Sequence, residues 1–466
     1  MTDTERPVAP LRSARPGTER PVAPTRSEDP IVIVGMAVEA PGGVASPDDY
    51  WTLLSEEREA LAPFPEDRGW SLRALFEGSR RDGFKQIHNL GGFLSSAGEF
   101  DPEFFGVSPR EATAMDPQQR VALRVAWRAL EDAVINPDEL AGHDVGVYVG
   151  AADMGYGPEM SEFSHHSGHL ITGSSIGVIS GRIAYLLGLT GPAMTVDTSC
   201  SSALSAFHLA VAALRSGDCD LALAGGVCVL GSPGYFVEFS KQHALSDDGH
   251  CRAYGAHASG TVWAEGAGMF VLQRKSAAQR DRRRIIAEVL ASCVNSDGRS
   301  VGLTAPSREA QIRLFRRAIA EARVDVDTVG MVEGHGTGTR LGDRTELTSL
   351  AATYGSGTPK RGPVLGSVKS NVGHAAAAAG ALGLVKLLLA AEHATVPATL
   401  HVDEPSNEID WEKTGLRLAT KATPFPAVDG MRLGAVSAFG MSGTNTHVVV
   451  AVPDAQPRGG PGEMDR

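Results

Sequence analysis

The chain has 466 residues, 42% hydrophobic and 21% charged, and its 43 Lys and Arg against 55 Asp and Glu give a formal net charge of −12. That acidity argues against non-specific nucleic-acid binding. The most apolar run, Ala375 to Ala391, contains Lys386 and two glycines and falls short of the ~20 residues of a membrane span.

Residues 1–29 are rich in Pro, Arg and Thr, and the stretch Thr4–Ser13 recurs almost unchanged as Thr18–Ser27. They hold too few apolar side chains to bury a core, so the composition predicts a disordered tail, with a tether to a partner as the alternative. No basic-then-apolar secretion signal is present. Order is expected from Pro30. Ile31–Val34 reads as a strand covered on both faces, and Ser46-Pro47 opens a helix through Trp51 and Leu54. Phe64–Trp70 is a turn-rich loop, and Asp116 caps a helix whose Leu123, Trp127 and Leu130 share one face. Asp144–Gly150 is a strand and Ser180–Leu187 a helix. Met194–Val196 then runs extended into Asp197-Thr198-Ser199, Cys200 and a helix from Ser201 to Leu214, and Asp220–Gly226 supplies the next strand.

A second half starts near Arg284. Its predicted elements are a strand over Ile285–Ser292, an amphipathic helix over Arg308–Arg323, a Gly-rich loop over Val332–Thr339 and a strand over Val364–Val368. Lys369–His374 and an Ala-rich helix over 375–391 follow, then strands at Ala435–Ala438 and His447–Val452 around the Phe439–His447 loop. The polar tail 453–466 is expected to be disordered. Alternating apolar strands and helices indicate an α/β fold. In each half a strand, a loop with a reactive residue and a helix of small residues follow in turn, with Cys200 in the first and His374 in the second. This echo predicts two similar halves, 30–283 and 284–452, facing each other across a site.

A lone Cys is ordinarily a structural residue. Cys200, however, stands where a strand hands over to a helix, and the free N–H groups there favour a thiolate and can hold an oxyanion. His335, between glycines in Glu333-Gly-His-Gly-Thr-Gly-Thr339, and His374, after Lys369-Ser-Asn-Val-Gly373, complete a set suited to thioester chemistry. In such chemistry the sulfur takes an acyl group while donors in a dry pocket hold an enolate. The five cysteines (Cys200, Cys219, Cys228, Cys251, Cys293) show neither disulfide nor metal-ligand spacing, as expected in a reducing cytoplasm.

From Pro30 to Val452 the chain resembles the β-ketoacyl-acyl carrier protein synthases, specifically the ketosynthase domains of type I modular polyketide synthases. The resemblance rests on Val196-Asp-Thr-Ser-Cys-Ser-Ser202, the two His motifs, Phe64–Trp70, Met115-Asp-Pro-Gln-Gln-Arg120, Leu303-Thr-Ala-Pro306 and Phe439-Gly-Met-Ser-Gly-Thr-Asn445. It implies the thiolase fold, layered α-β-α-β-α and homodimeric. It implies that Cys200 carries the acyl chain, while His335 and His374 hold a malonyl-type thioester and assist its decarboxylation. Lys369 and Glu346 would form a charged pair supporting the histidines. The backbone N–H groups of Cys200 and Phe439 would make the oxyanion hole, with Phe439 gating the pocket, and Asn371, Thr337 and Thr339 would support the site. No metal or bound cofactor is implied, because substrate arrives on the phosphopantetheine of an acyl carrier protein. The basic stretch Arg280–Arg284 reads either as a solvated loop or as a contact for that acidic partner.

The chain departs from the family pattern at Ser199 (usually Ala), Arg344 (usually Pro), Ala375-Ala376 (usually Thr-Gln), Val38-Glu39-Ala40 (usually Cys-Arg-Phe) and Ala438 (usually Ser). With no acyltransferase or carrier segment following, the expectation is a free-standing enzyme acting in trans. Three functions follow: decarboxylative Claisen condensation, ring-closing release of a carrier-bound β-keto chain from Cys200, or a non-catalytic dimer partner.

Overall fold

The computed structural model describes residues 29–158, 168–355 and 362–454. The repeated N-terminal segment and the tail from 455 lie outside the described residues. Asp29, assigned to the tail, is instead anchored: its carboxylate accepts from the backbone N–H and the hydroxyl of Ser276 at 2.9 and 2.5 Å.

Among the described residues thirteen strands follow in chain order: β1 (Ile31–Glu39), β2 (Val145–Gly150), β3 (Ala193–Val196), β4 (Leu221–Cys228), β5 (Gly266–Arg274), β6 (Ala287–Ser296), β7 (Val329–Glu333), β8 (Val364–Gly366), β9 (Thr395–Val396), β10 (Arg417–Leu418), β11 (Thr423–Pro424), β12 (Met431–Phe439) and β13 (Thr444–Pro453). Eleven form one sheet in the order β10-β8-β7-β12-β13-β6-β1-β5-β4-β2-β3, and β9 and β11 pair separately. From one end, β3-β2-β4-β5-β1 join parallel, parallel, antiparallel, antiparallel. From the other, β8-β7-β12-β13-β6 repeat that pattern. The two sets meet where β1 pairs with β6 over only Ile31–Ile33, whereas β12 pairs with β13 along its whole length.

The equivalent strands β3 and β8 each feed a reactive loop and then a central helix, Ser202–Ser216 and Ala379–Glu392. These helices pack on each other and on the sheet, while Pro117–Asp132 and Arg308–Ala322 cover its outer faces. Small residues allow the close approach: a Cβ on Gly380 would stand 2.6 Å from Leu204 Cγ, and one on Gly268 2.9 Å from Ala381 Cβ. From Ala379 to Ala391 every residue of the second helix is buried, which fits a helix enclosed on all sides.

Three local expectations change. The Ala-rich helix begins at Ala379, since Ala376–Ala378 form a 3₁₀ turn in which Ala376 has φ +39°. Val332 and Glu333 belong to β7, so the Gly-rich loop starts at Gly334. Strand β5 has no counterpart in the sequence reading: Gly266-Ala-Gly-Met lacks both alternation and β-branched residues. Among the described residues no helix is long and apolar enough to cross a membrane.

Candidate active site

The turn after β3 is laced by its own hydroxyls. Asp197 Oδ1 accepts from Ser199 N at 2.9 Å, and Ser202 Oγ accepts from Thr198 N at 2.9 Å while donating to Ser199 O at 2.6 Å. Ser201 Oγ donates to Thr198 O at 2.8 Å. Together these hold Ser199 at φ +57°, a left-handed conformation that costs a non-glycine residue roughly 1–2 kcal/mol. They also leave Cys200 buried just ahead of the central helix. Burial pushes its thiol up to about 11, against the opposing pull of the Lys369 charge and the backbone N–H groups of Met441 and Cys200. The thiolate expected from the helix start is therefore not the resting form, because desolvation outweighs those donors.

The His335 loop is hung on Glu346. That buried carboxylate accepts from His335 N at 2.7 Å, Gly336 N at 2.9 Å and the Tyr254 hydroxyl at 2.7 Å. The expected contact pair of Glu346 with Lys369 is absent among the ion pairs of the described residues. Glu346 is engaged by the loop backbone, and Lys369 acts on it only through its field. Lys369 itself is lowered, chiefly by burial, which the carboxylate of Glu333 opposes. The buried ion pair that does form lies one layer deeper, Glu333 with Lys386 at 2.8 Å, and Glu333 Oε1 also accepts from Val368 N at 2.6 Å.

His374 is clamped from strand-like neighbours: its N–H donates to Val262 O at 2.7 Å and its carbonyl accepts from Ala264 N at 2.9 Å. Its ring stacks on Trp263, centroids 4.9 Å apart, and stands edge-on to His335 at 5.4 Å. Nδ1 of His374 is buried without a hydrogen-bond partner among the described residues, beside the two alanines that stand where Thr-Gln was expected. Burial, reinforced by the Lys369 charge, holds both imidazoles well below the ordinary histidine range, so both are neutral at pH 7. Phe439 N–H points at His335 Nδ1 across 3.4 Å, which puts the His335 proton on Nε2. That N–H is thus directed at the imidazole rather than held open for an oxyanion, and Met441 N–H is the additional donor beside the sulfur.

A cavity of about 700 Å³ is lined by Cys200, Trp263, His335, His374 and Phe439, with Thr337 and Thr339, whose hydroxyls are 3.0 Å apart, on its wall. The sequence-predicted residues of both halves therefore converge. Lys369, Glu346 and Asn371 stand behind that wall, Asn371 gripping a neighbouring loop through Arg58 O at 3.2 Å and Ala60 N at 2.7 Å. The halves touch closely at Gly440, where a Cβ would lie 2.1 Å from Thr198 O. Sequence reasoning missed Trp263 and Glu265. The latter takes Arg68 of the Phe64–Trp70 motif in a two-point ion pair at 2.8 and 3.0 Å. The departures find partners: Glu39 pairs with Arg124 and Arg128 at 2.7 and 2.8 Å, and Arg344 with Glu408 at 3.0 Å on the surface. In the basic stretch, Arg283 lies 3.7 Å from Asp281 and Arg284 3.3 Å from Asp132.

The family model for the beta-ketoacyl synthase N-terminal domain matches residues 28–278, and that for the C-terminal domain matches 286–403. The chain belongs to the β-ketoacyl synthase family. It is 51% identical over 425 residues to polyketide synthase GfsB of Streptomyces halstedii, covering 91% of this chain and 8% of GfsB. It is 50% identical over 428 residues to pikromycin polyketide synthase component PikAIII of Streptomyces venezuelae, covering 91% of this chain and 27% of that protein. The ketosynthase thus spans a small part of such relatives. Among solved structures, the oxazolomycin ketosynthase domain OzmH KS7 of Streptomyces albus JA3453 superposes with a TM-score of 0.84 at 37% identity, over 93% of this chain and 77% of that one. The module 6 ketosynthase of the bacillaene synthase from Bacillus subtilis 168 gives 0.80 at 36% identity, over 91% and 72%. The fold is accordingly the thiolase fold, and the chain is a ketosynthase of the polyketide synthase type, an acyltransferase by class.

Proposed function

We propose that this ketosynthase forms an acyl thioester on Cys200 and extends it by decarboxylative Claisen condensation with a malonyl-type unit on the phosphopantetheine of an acyl carrier protein. The observation that carries this reading is the convergence of Cys200, His335 and His374 on one cavity wall. Loading exchanges one thioester for another: Sγ attacks the carrier-bound carbonyl, and the thiol's proton leaves with the departing carrier thiolate. A thiol near 11 calls for such coupled transfer, because little free thiolate exists at neutral pH. Neutral imidazoles then act as N–H donors to the carbonyl of the malonyl-type thioester. As its C–C bond to carboxylate breaks and carbon dioxide leaves, the enolate oxygen takes up charge between them. The enolate carbon attacks the Cys200 thioester, backbone N–H groups of the nucleophile turn and of Met441 hold the oxyanion, and the C–S bond breaks to release the sulfur as thiolate, which takes up a proton from solvent. Lys369 supports the site through its field, Glu346 and Asn371 hold the loops, and Thr337 and Thr339 offer hydroxyls to the incoming arm.

A homodimer fits the same reading. Strand β3 leaves an open sheet edge bearing half-exposed Met194, and the helix Val178–Leu187 packed beside that strand carries Tyr185, which is 81% exposed. Ring-closing release is a second reading, favoured by the changed surroundings of His374, whose Nδ1 has no hydrogen-bond partner among the described residues.

Intact-protein mass spectrometry with acyl-carrier thioesters tests the proposal. Wild type gains an acyl adduct and Cys200→Ala gains none, while His335→Ala and His374→Ala load acyl groups but release no carbon dioxide from a malonyl thioester. Absence of an adduct on wild type would favour a non-catalytic partner. A cyclised product formed from a carrier-bound β-keto chain without any malonyl donor would favour the second reading.

A further inference from the structure

On the outer side of both histidine loops, Glu59, His250 and His401 bring three ligand atoms together. Glu59 Oε1 lies 2.8 Å from His250 Nδ1 and 2.7 Å from His401 Nε2, and all three atoms fall within 4.8 Å of one another. The imidazole rings sit 4.7 Å apart, tilted by 38°. None of the catalytic steps above uses these groups, and each side chain is between a fifth and a third exposed, so an ion in solution can reach them.

We propose that Glu59, His250 and His401 bind a divalent transition metal ion such as Zn²⁺. Two imidazoles and one carboxylate are a borderline-soft donor set that such ions prefer over Mg²⁺ or Ca²⁺, with water completing the shell. Ligand bonds of about 2.0–2.2 Å set donor separations of about 3.0–3.5 Å. The carboxylate must therefore swing slightly away from the rings and the rings slightly together, motions open to partly exposed side chains. Without metal, the one carboxylate oxygen accepts from both imidazoles. With the ion bound, the ring nitrogens that faced Glu59 face the metal and each ring carries its hydrogen on the other nitrogen.

The three segments are already fixed from behind. Arg58 O and Ala60 N, on either side of Glu59, are both held by Asn371. Leu400 N, next to His401, donates to Ser370 Oγ at 2.8 Å. His401 O accepts from Arg252 at 3.1 Å, while His250 N donates to Asp248 Oδ1 at 3.1 Å. Cys251, next to His250, lies with its sulfur 3.9 Å from Gly336 O. Backbone anchoring of this kind orients ligands before the ion arrives. It also means that a bound ion ties together the supports of the Lys369–His374 segment and of the His335 loop.

The test uses the full chain, freed of metal with a chelator and titrated with Zn²⁺ by calorimetry, and with Co²⁺ by visible absorption. Expected is one saturable site, unchanged in Cys200→Ala and weakened at least about tenfold in His250→Gln, His401→Gln and Glu59→Gln. The Co²⁺ spectrum should lack a thiolate charge-transfer band, and Zn²⁺ should raise the melting temperature of wild type but not of those three variants. No binding to wild type, equal binding by the three folded variants, or loss of binding in Cys200→Ala would overturn the proposal.

Discussion

Glu346→Gln separates a backbone cradle from a charge pair. In the native protein three donors end on two anionic oxygens, His335 N and Tyr254 hydroxyl at 2.7 Å and Gly336 N at 2.9 Å. A glutamine keeps one oxygen. If that oxygen serves Gly336 and Tyr254, the new NH₂ group faces His335 N–H, donor against donor. One bond to a charged acceptor is lost, about 1.5–3 kcal/mol, and a buried N–H is left unsatisfied, about 1–3 kcal/mol. The loop relieves that by shifting, and a displacement of about 1 Å at a catalytic group costs on the order of 100-fold in rate. Cys200 lies on a separate turn held by its own hydroxyls, so loading should stay within about threefold of wild type. Carbon dioxide release from a malonyl-carrier thioester, set beside acyl loading followed by mass spectrometry, reads the two steps apart. Decarboxylation within about twofold of wild type, or a parallel loss of both steps, would refute the cradle.

Alkylation of Cys200 by iodoacetamide, followed by intact mass, should accelerate steadily from neutral pH towards the thiol's value of about 11, and a plateau near neutrality would contradict burial as the dominant influence. His447, hydrogen-bonded to Tyr354 at 2.7 Å and Ser437 at 2.9 Å, is held down to about 3 by burial. The unfolded chain protonates below about 6.5 while the folded one does not, so stability is full above that pH and lost as pH falls towards 3. Denaturant titrations should show this one imidazole costing about 1.4 kcal/mol between about pH 7.5 and about pH 5.5, with His335 and His374 adding in the same direction and His447→Gln removing its share. Lys386→Met leaves Glu333 buried without its partner and should cost about 3–5 kcal/mol. Glu333→Gln added to it should recover most of that, because the amide oxygen still serves Val368 N, and a double variant no better than the single one would contradict the pairing.

The reactive loops and the order of elements around them were readable because they are local. A short apolar strand, a turn and a helix of small residues follow one another along the chain, and the repeat of that order at Cys200 and His374 became β3 and β8 with their central helices. Apolar runs placed β2 and β4 to within two residues and β6, β12 and β13 to within four, while β1 runs on five residues past Val34, to Glu39. The partners of the site were not legible, because they come from far away in sequence. Trp263 meets His374, Lys386 meets Glu333 and Glu265 meets Arg68 across separations that no spacing rule encodes. The resting state of the thiol was misjudged for a related reason. A helix start is visible in sequence, whereas the depth at which the sulfur is buried is set by everything packed around it.

The join between the halves has a consequence for how the protein is made. Gly440 presses on Thr198 O, and from the far side of that join Met441 N–H reaches the sulfur and the Lys369 charge acts on it. Synthesis delivers the first half well before the second. During that interval the sulfhydryl on a nascent chain has neither imidazole, ammonium nor second-half donor beside it. The proposed condensation is thus a property of the finished polypeptide, since a truncated product would keep the sulfur but lack the imidazoles proposed to hold the enolate.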